Sequence, residues 1–174
     1  GKGTYPVFLS ADHAVANIPA FNMKNNIPSG VFVGRELQRM AQRVLEERYG
    51  DSKIIEYYDN YQIYLNREVM AKRNLSIEEV TQTLKTKLSQ KEGIYTVVNI
   101  ADGNVTSVPE YYQKKLTNLY NPKRSGEIMI LPEPAWFEGG LKGTTHGTMY
   151  TYDTHVPLLF FGWGINHGET VRPA

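Results

Sequence analysis

The chain has 174 residues, enough for one ordinary domain with a sizeable core. Its 19 Lys and Arg against 18 Asp and Glu give a formal charge of +1, so charge offers no argument for a nucleic-acid or membrane-surface partner. Cysteine is absent, which excludes a disulfide framework and a thiolate metal site, and no apolar run reaches membrane-spanning length.

In chain order, residues 5–11 (YPVFLSA) form a short apolar run that reads as a strand and stops at Asp12-His13. Open α/β sheets bind ligands beyond the carboxyl ends of their strands, and an adjacent carboxylate and imidazole suit zinc or a similar divalent metal. A capped turn with a hydrogen-bonded histidine is the structural alternative. Residues 14–30 are rich in Asn and Pro and read as a loop near the site. Residues 31–49 carry apolar side chains at helical spacing, with Gly50 as the cap. On that helix Arg35, Arg39 and Arg43 recur every four residues, as a phosphate-facing stripe or, more simply, a solvated face paired with nearby glutamates.

Residues 54–58 and 61–65 flank Asp59-Asn60 and predict a hairpin, in which Tyr57, Tyr58, Tyr61 and Tyr64 pack across strands rather than stack bases. Residues 76–91 open with a Ser76-to-Glu79 capping box and predict a second helix. A strand at 94–100, a helix at 109–120 and a strand at 127–131 follow. Lys123 and Arg124, beside Ser125-Gly126, are weak candidates to cradle a phosphate, with a plain surface turn as the alternative. Residues 132–145 read as an apolar loop that packs over the site or acts as a flap. His146 lies on a turn-rich loop, and residues 156–162 (VPLLFFG) predict a strand buried on both faces in a parallel sheet.

The segments LSADHA at 9–14 and GTTHGTMYTYDTHVPLLFFG at 143–162 resemble the alkaline phosphatase superfamily. The resemblance is closest to the zinc-dependent, phosphate-irrepressible alkaline phosphatases of flavobacterial type, which are similar to type I phosphodiesterase/nucleotide pyrophosphatases. It continues through IYLNREVMAKRN at 63–74 and YNPKRSGEIMIL at 120–131. The resemblance implies an α/β fold, a partial alkaline-phosphatase-like sheet with a small α+β layer inserted at 31–132 between core segments 1–30 and 133–174 that bear the metal site.

It implies a binuclear-zinc phosphomonoesterase acting on a small phosphoester, with Asp12 and His13 on one metal and His146 on the other. Asp153 and His155 are expected to orient the metal ligands or hydrogen-bond at the strand start, and His167 is assigned no role. The Ser or Thr nucleophile and the remaining ligands are expected upstream, so no catalytic residue is assigned here and the chain is expected to be an inactive fragment. The short lead into the first strand and the absence of a closing element suggest excision. The Gly-Lys-Gly start carries no signal peptide, while the resemblance implies a periplasmic or secreted enzyme. Neither nucleic acid nor membrane is expected as a partner; homodimerisation or strand exchange through sheet edges is. A phosphodiesterase or nucleotide pyrophosphatase, and a non-catalytic interaction module with structural histidines, are the alternatives.

Overall fold

The computed structural model describes residues 4–103 and 105–172; the Gly-Lys-Gly start and the Pro173-Ala174 end lie outside them. In chain order the elements are β1 (Pro6–Leu9), α1 (Pro19–Lys24), β2 (Gly30–Phe32), α2 (Gly34–Tyr49), β3 (Ile55–Asp59) and β4 (Gln62–Leu65). Then come α3 (Arg67–Lys72), α4 (Ile77–Leu88), β5 (Ile94–Asn99), α5 (Glu110–Leu119), β6 (Ile128–Pro132), β7 (Trp136–Glu138), α6 (Thr151–Thr154) and β8 (Leu159–Gly162).

The core is a four-stranded antiparallel sheet in the order β3-β4-β6-β5. Strand β6 is buried at every position because both faces are covered. Leu37, Ala41 and Leu45 of α2 and Val80, Leu84 and Leu88 of α4 recur at helical spacing and are buried in the core with Ile63, Ile128 and Ile130. Met129 and Leu131, alternate positions on β6, meet Tyr61, Tyr95, Tyr112 and the 147–150 segment on the other face. The α2 stop follows the expected chemistry, with Gly50 in the left-handed region at φ 71°. The α4 start does too: Ser76 and Glu79 make both reciprocal bonds of a capping box.

Several expectations change. The hairpin turn is Asn60-Tyr61, both at positive φ (47° and 65°), not Asp59-Asn60, because Asp59 pairs with Gln62 and extends the ladder by one residue. Segment 14–30 is not all loop, since Pro19 starts α1 and Gly30–Phe32 forms β2. Segment 132–145 is no flap: β7 pairs in parallel with β2, and the Trp136 ring lies on Gly30 and Gly93, where a Cβ would collide with the indole. Arg35, Arg39 and Arg43 face solvent, and among the described residues none forms an ion pair with a glutamate.

The strand at 156–162 is shorter and is not buried. β8 pairs antiparallel with β1, and all eight residues of this ribbon are exposed, Phe8 to 71% and Phe161 to 77%. An apolar run reports a preference for burial, but a two-stranded ribbon without a covering layer cannot supply it.

Candidate metal centre

The exposed ribbon nevertheless brings the two ends of the chain together. Its register, Leu9 opposite Leu159, places the exit of β1 beside the entrance of β8. The approach continues outward, with the Ala14 amide donating to the Asp153 carbonyl at 2.9 Å and the Ala16 amide to the Thr145 carbonyl at 3.1 Å. The Thr144 hydroxyl also donates to the Ala16 carbonyl. Segments 13–16 and 144–153 are thereby fastened to each other.

The result is a contact between the two predicted histidines: the rings of His13 and His146 stack at a centroid separation of 3.5 Å, 20° from parallel. His13 Nδ1 lies 2.9 Å from the Ala14 carbonyl oxygen. A carbonyl only accepts, so Nδ1 carries the proton of the neutral ring and Nε2 keeps a free lone pair. Asp12 Oδ1 accepts from the His13 amide at 3.1 Å, and Asp12 Oδ2 stands 3.8 Å from His13 Nε2.

Two ligands about 2.0–2.1 Å from one tetrahedral zinc lie about 3.4 Å apart. The Asp12–His13 pair is close to that bite. His146 cannot join the same ion without tilting, because stacked rings direct their in-plane lone pairs along separate, nearly parallel planes. Among the described residues no group of three or more His, Cys, Asp and Glu gathers to hold a metal.

Asp153 and His155 part company. Asp153 is 3% exposed, and its Oδ2 accepts from the Thr148 amide at 2.7 Å and the Thr148 hydroxyl at 2.6 Å. Its Oδ1 is buried without a hydrogen-bond partner. The carboxylate thus braces the loop two residues beyond His146, while its carbonyl holds Ala14. His155 is exposed at the end of α6. Lys123 and Arg124 occupy an exposed turn in which the Lys123 amide donates to Asn121 Oδ1 and the Arg124 carbonyl accepts from Tyr64. That geometry is a surface turn.

The sequence pointed to cross-strand packing for Tyr58 and Tyr61, but not to the hydrogen bonds that they and Tyr150 make. Tyr58 donates to the Glu138 carboxylate, the Glu138 amide donates to the Tyr61 oxygen at 2.7 Å, and Tyr150 donates to the Pro132 carbonyl at 2.8 Å. Burial pushes the phenols of Tyr58, Tyr61 and Tyr150 far above their ordinary value of 10, and the neighbouring Glu138 carboxylate pushes Tyr58 further. They are neutral hydrogen-bonding groups, not phenolate bases.

Unfolded tyrosine loses its proton near pH 10, while these phenols keep theirs when folded. The stability they contribute is complete below pH 10 and declines as pH rises, by about 1.4 kcal/mol per pH unit for each group. Urea unfolding between pH 9 and 11.5 should show this decline, and Tyr58→Phe should lessen its slope.

The family model for type I phosphodiesterase / nucleotide pyrophosphatase matches residues 1–155, and the chain belongs to that family. Over 174 residues it is 37% identical to alkaline phosphatase PafA of Elizabethkingia meningoseptica, covering 99% of this chain and 32% of that protein. A Myroides odoratus protein named calcium-transporting ATPase is also 37% identical over 174 residues, with 99% of this chain and 32% of that one covered. The crystal structure of wild-type PafA aligns with a TM-score of 0.88 at 36% identity, over 99% of this chain and 33% of that chain. The chain therefore spans about a third of the length of these relatives.

Proposed function

We propose that the chain is part of the catalytic domain of a metal-dependent phosphoester hydrolase, a zinc phosphomonoesterase that acts on a small phosphoester. The stacked meeting of His13 and His146 carries this reading: chain ends 133 residues apart converge, and their ring planes suit two neighbouring ions better than one. Catalytic two-metal sites hold their ions about 3.5–4 Å apart, close to the separation of these rings. Asp12 and His13 would hold one zinc and His146 the other. Zinc bound there would lower the pKa of water and offset negative charge on a phosphoryl oxygen.

The chain's own residues do the positioning. The Nδ1–H of His13, committed to the Ala14 carbonyl, fixes the imidazole with Nε2 free, and Asp153 braces the loop carrying His146. Three donors divided between two ions leave both shells incomplete. In this reading segments 1–30 and 133–174 are site-bearing pieces of the larger domain's core, 31–132 is a layer inserted between them, and the nucleophile with the other ligands comes from sequence outside this chain. The isolated chain is expected to be inactive. A periplasmic or secreted location follows from the family resemblance, and the exposed β1–β8 ribbon favours self-association of the isolated chain.

Zinc titration by calorimetry tests the site. The chain should bind zinc, and His13→Ala and His146→Ala should each reduce that binding; heats unchanged in both variants would remove the metal assignment. The family match also favours a second reading, a phosphodiesterase or nucleotide pyrophosphatase. A longer chain that completes the site, assayed on mono- and diesters, separates the two. Failure of that chain to bind zinc or hydrolyse either ester would leave the non-catalytic module.

A further inference from the structure

Three consecutive residues just beyond His146 are each tied from a different direction. Thr148 is held by Asp153, and the Tyr150 hydroxyl reaches the Pro132 carbonyl. Between them the Met149 carbonyl accepts from Lys115 Nζ at 2.7 Å and from the Tyr111 hydroxyl at 3.1 Å, both on α5. The same ammonium donates to the Tyr111 oxygen at 2.6 Å, reaches Thr154 Oγ1 at 3.4 Å and lies 4.1 Å from the centre of the Tyr111 ring. Ordering a lysine side chain carries one of the largest rotamer-entropy costs of any residue, so three convergent acceptors and an aromatic face mark a built anchor rather than a solvated charge.

We propose that Lys115 is a positioning residue for the metal centre, clamping the 149–154 segment so that His146 is held against His13. This rests on the reading of His146 as a metal ligand. Residues that orient metal ligands typically change affinity by about 10- to 100-fold when removed. The clamp gives α5, remote in sequence from both motifs, a direct part in shaping the site.

The test uses the 174-residue chain with Lys115→Met and Lys115→Arg, read by ring-proton NMR of His13 and His146, by zinc affinity and by urea unfolding. Lys115→Met should move both histidine ring resonances, which shield each other in the stack, and weaken zinc binding about tenfold. Lys115→Arg, which keeps a charged donor, should restore both in part. Parent-like resonances and affinity in Lys115→Met, with or without lost stability, would overturn the proposal. Should Lys115→Met not fold, Tyr111→Phe removes the parallel bond to Met149 and is read in the same way. If the parent chain itself binds no zinc, the metal reading fails, and the metal-free ring resonances alone decide the role of Lys115.

Discussion

Replacing Phe137 with alanine should destabilise the chain by about 3–5 kcal/mol, seen as a large fall in the urea midpoint. Its side chain is 1% exposed on β7, and its backbone is registered with Val31 of β2. On either side, Trp136 packs on Phe32 at a centroid separation of 5.3 Å, and Glu138 receives the Tyr58 hydroxyl. Truncation would leave a cavity that this short parallel pair cannot close without losing those neighbours. A mobile flap would behave otherwise, because substitutions at exposed, unpacked positions usually stay within about 0.5 kcal/mol. A midpoint close to that of the parent would show that 132–145 is a flap after all.

Asp153→Ala should damage both the fold and the centre. It strands the amide and hydroxyl of Thr148, a residue 9% exposed, and leaving buried donors unmet costs about 1–3 kcal/mol. The same change frees the loop after His146, so zinc affinity should fall about 10- to 100-fold. Calorimetry and urea unfolding on one preparation separate the two effects. Loss of stability with zinc affinity intact would confine Asp153 to a structural role, while Asp153→Asn, which can keep an oxygen toward Thr148, should be the milder variant.

Regular elements were legible where local chemistry is self-sufficient. The capping box at Ser76 and Glu79, the glycine stop at Gly50 and the β-branched run of β5 each name their element without help from the rest of the chain. Short elements were not. β2, β7 and α1 hold three, three and six residues, too few for a period to emerge; β2 and β7 form by pairing with each other, with Trp136 packed on Phe32. The hairpin turn shifted by one residue because the ladder, not local turn preference alone, sets which two residues close it.

The sequence by itself determined the family resemblance and the chemistry on offer: Asp12, His13 and His146 are the residue types a zinc centre requires, and no thiolate could compete. Their arrangement was decided only by the tertiary structure. The antiparallel β1–β8 register closes the distance between motifs 133 residues apart, and the Ala14–Asp153 bond carries that closure to the stacked rings. Proximity between distant segments is a product of pairing and packing across the whole chain, so no local pattern around either histidine encodes it. Lys115 follows the same rule: its role comes from the Met149 carbonyl, which folding brings within hydrogen-bond reach.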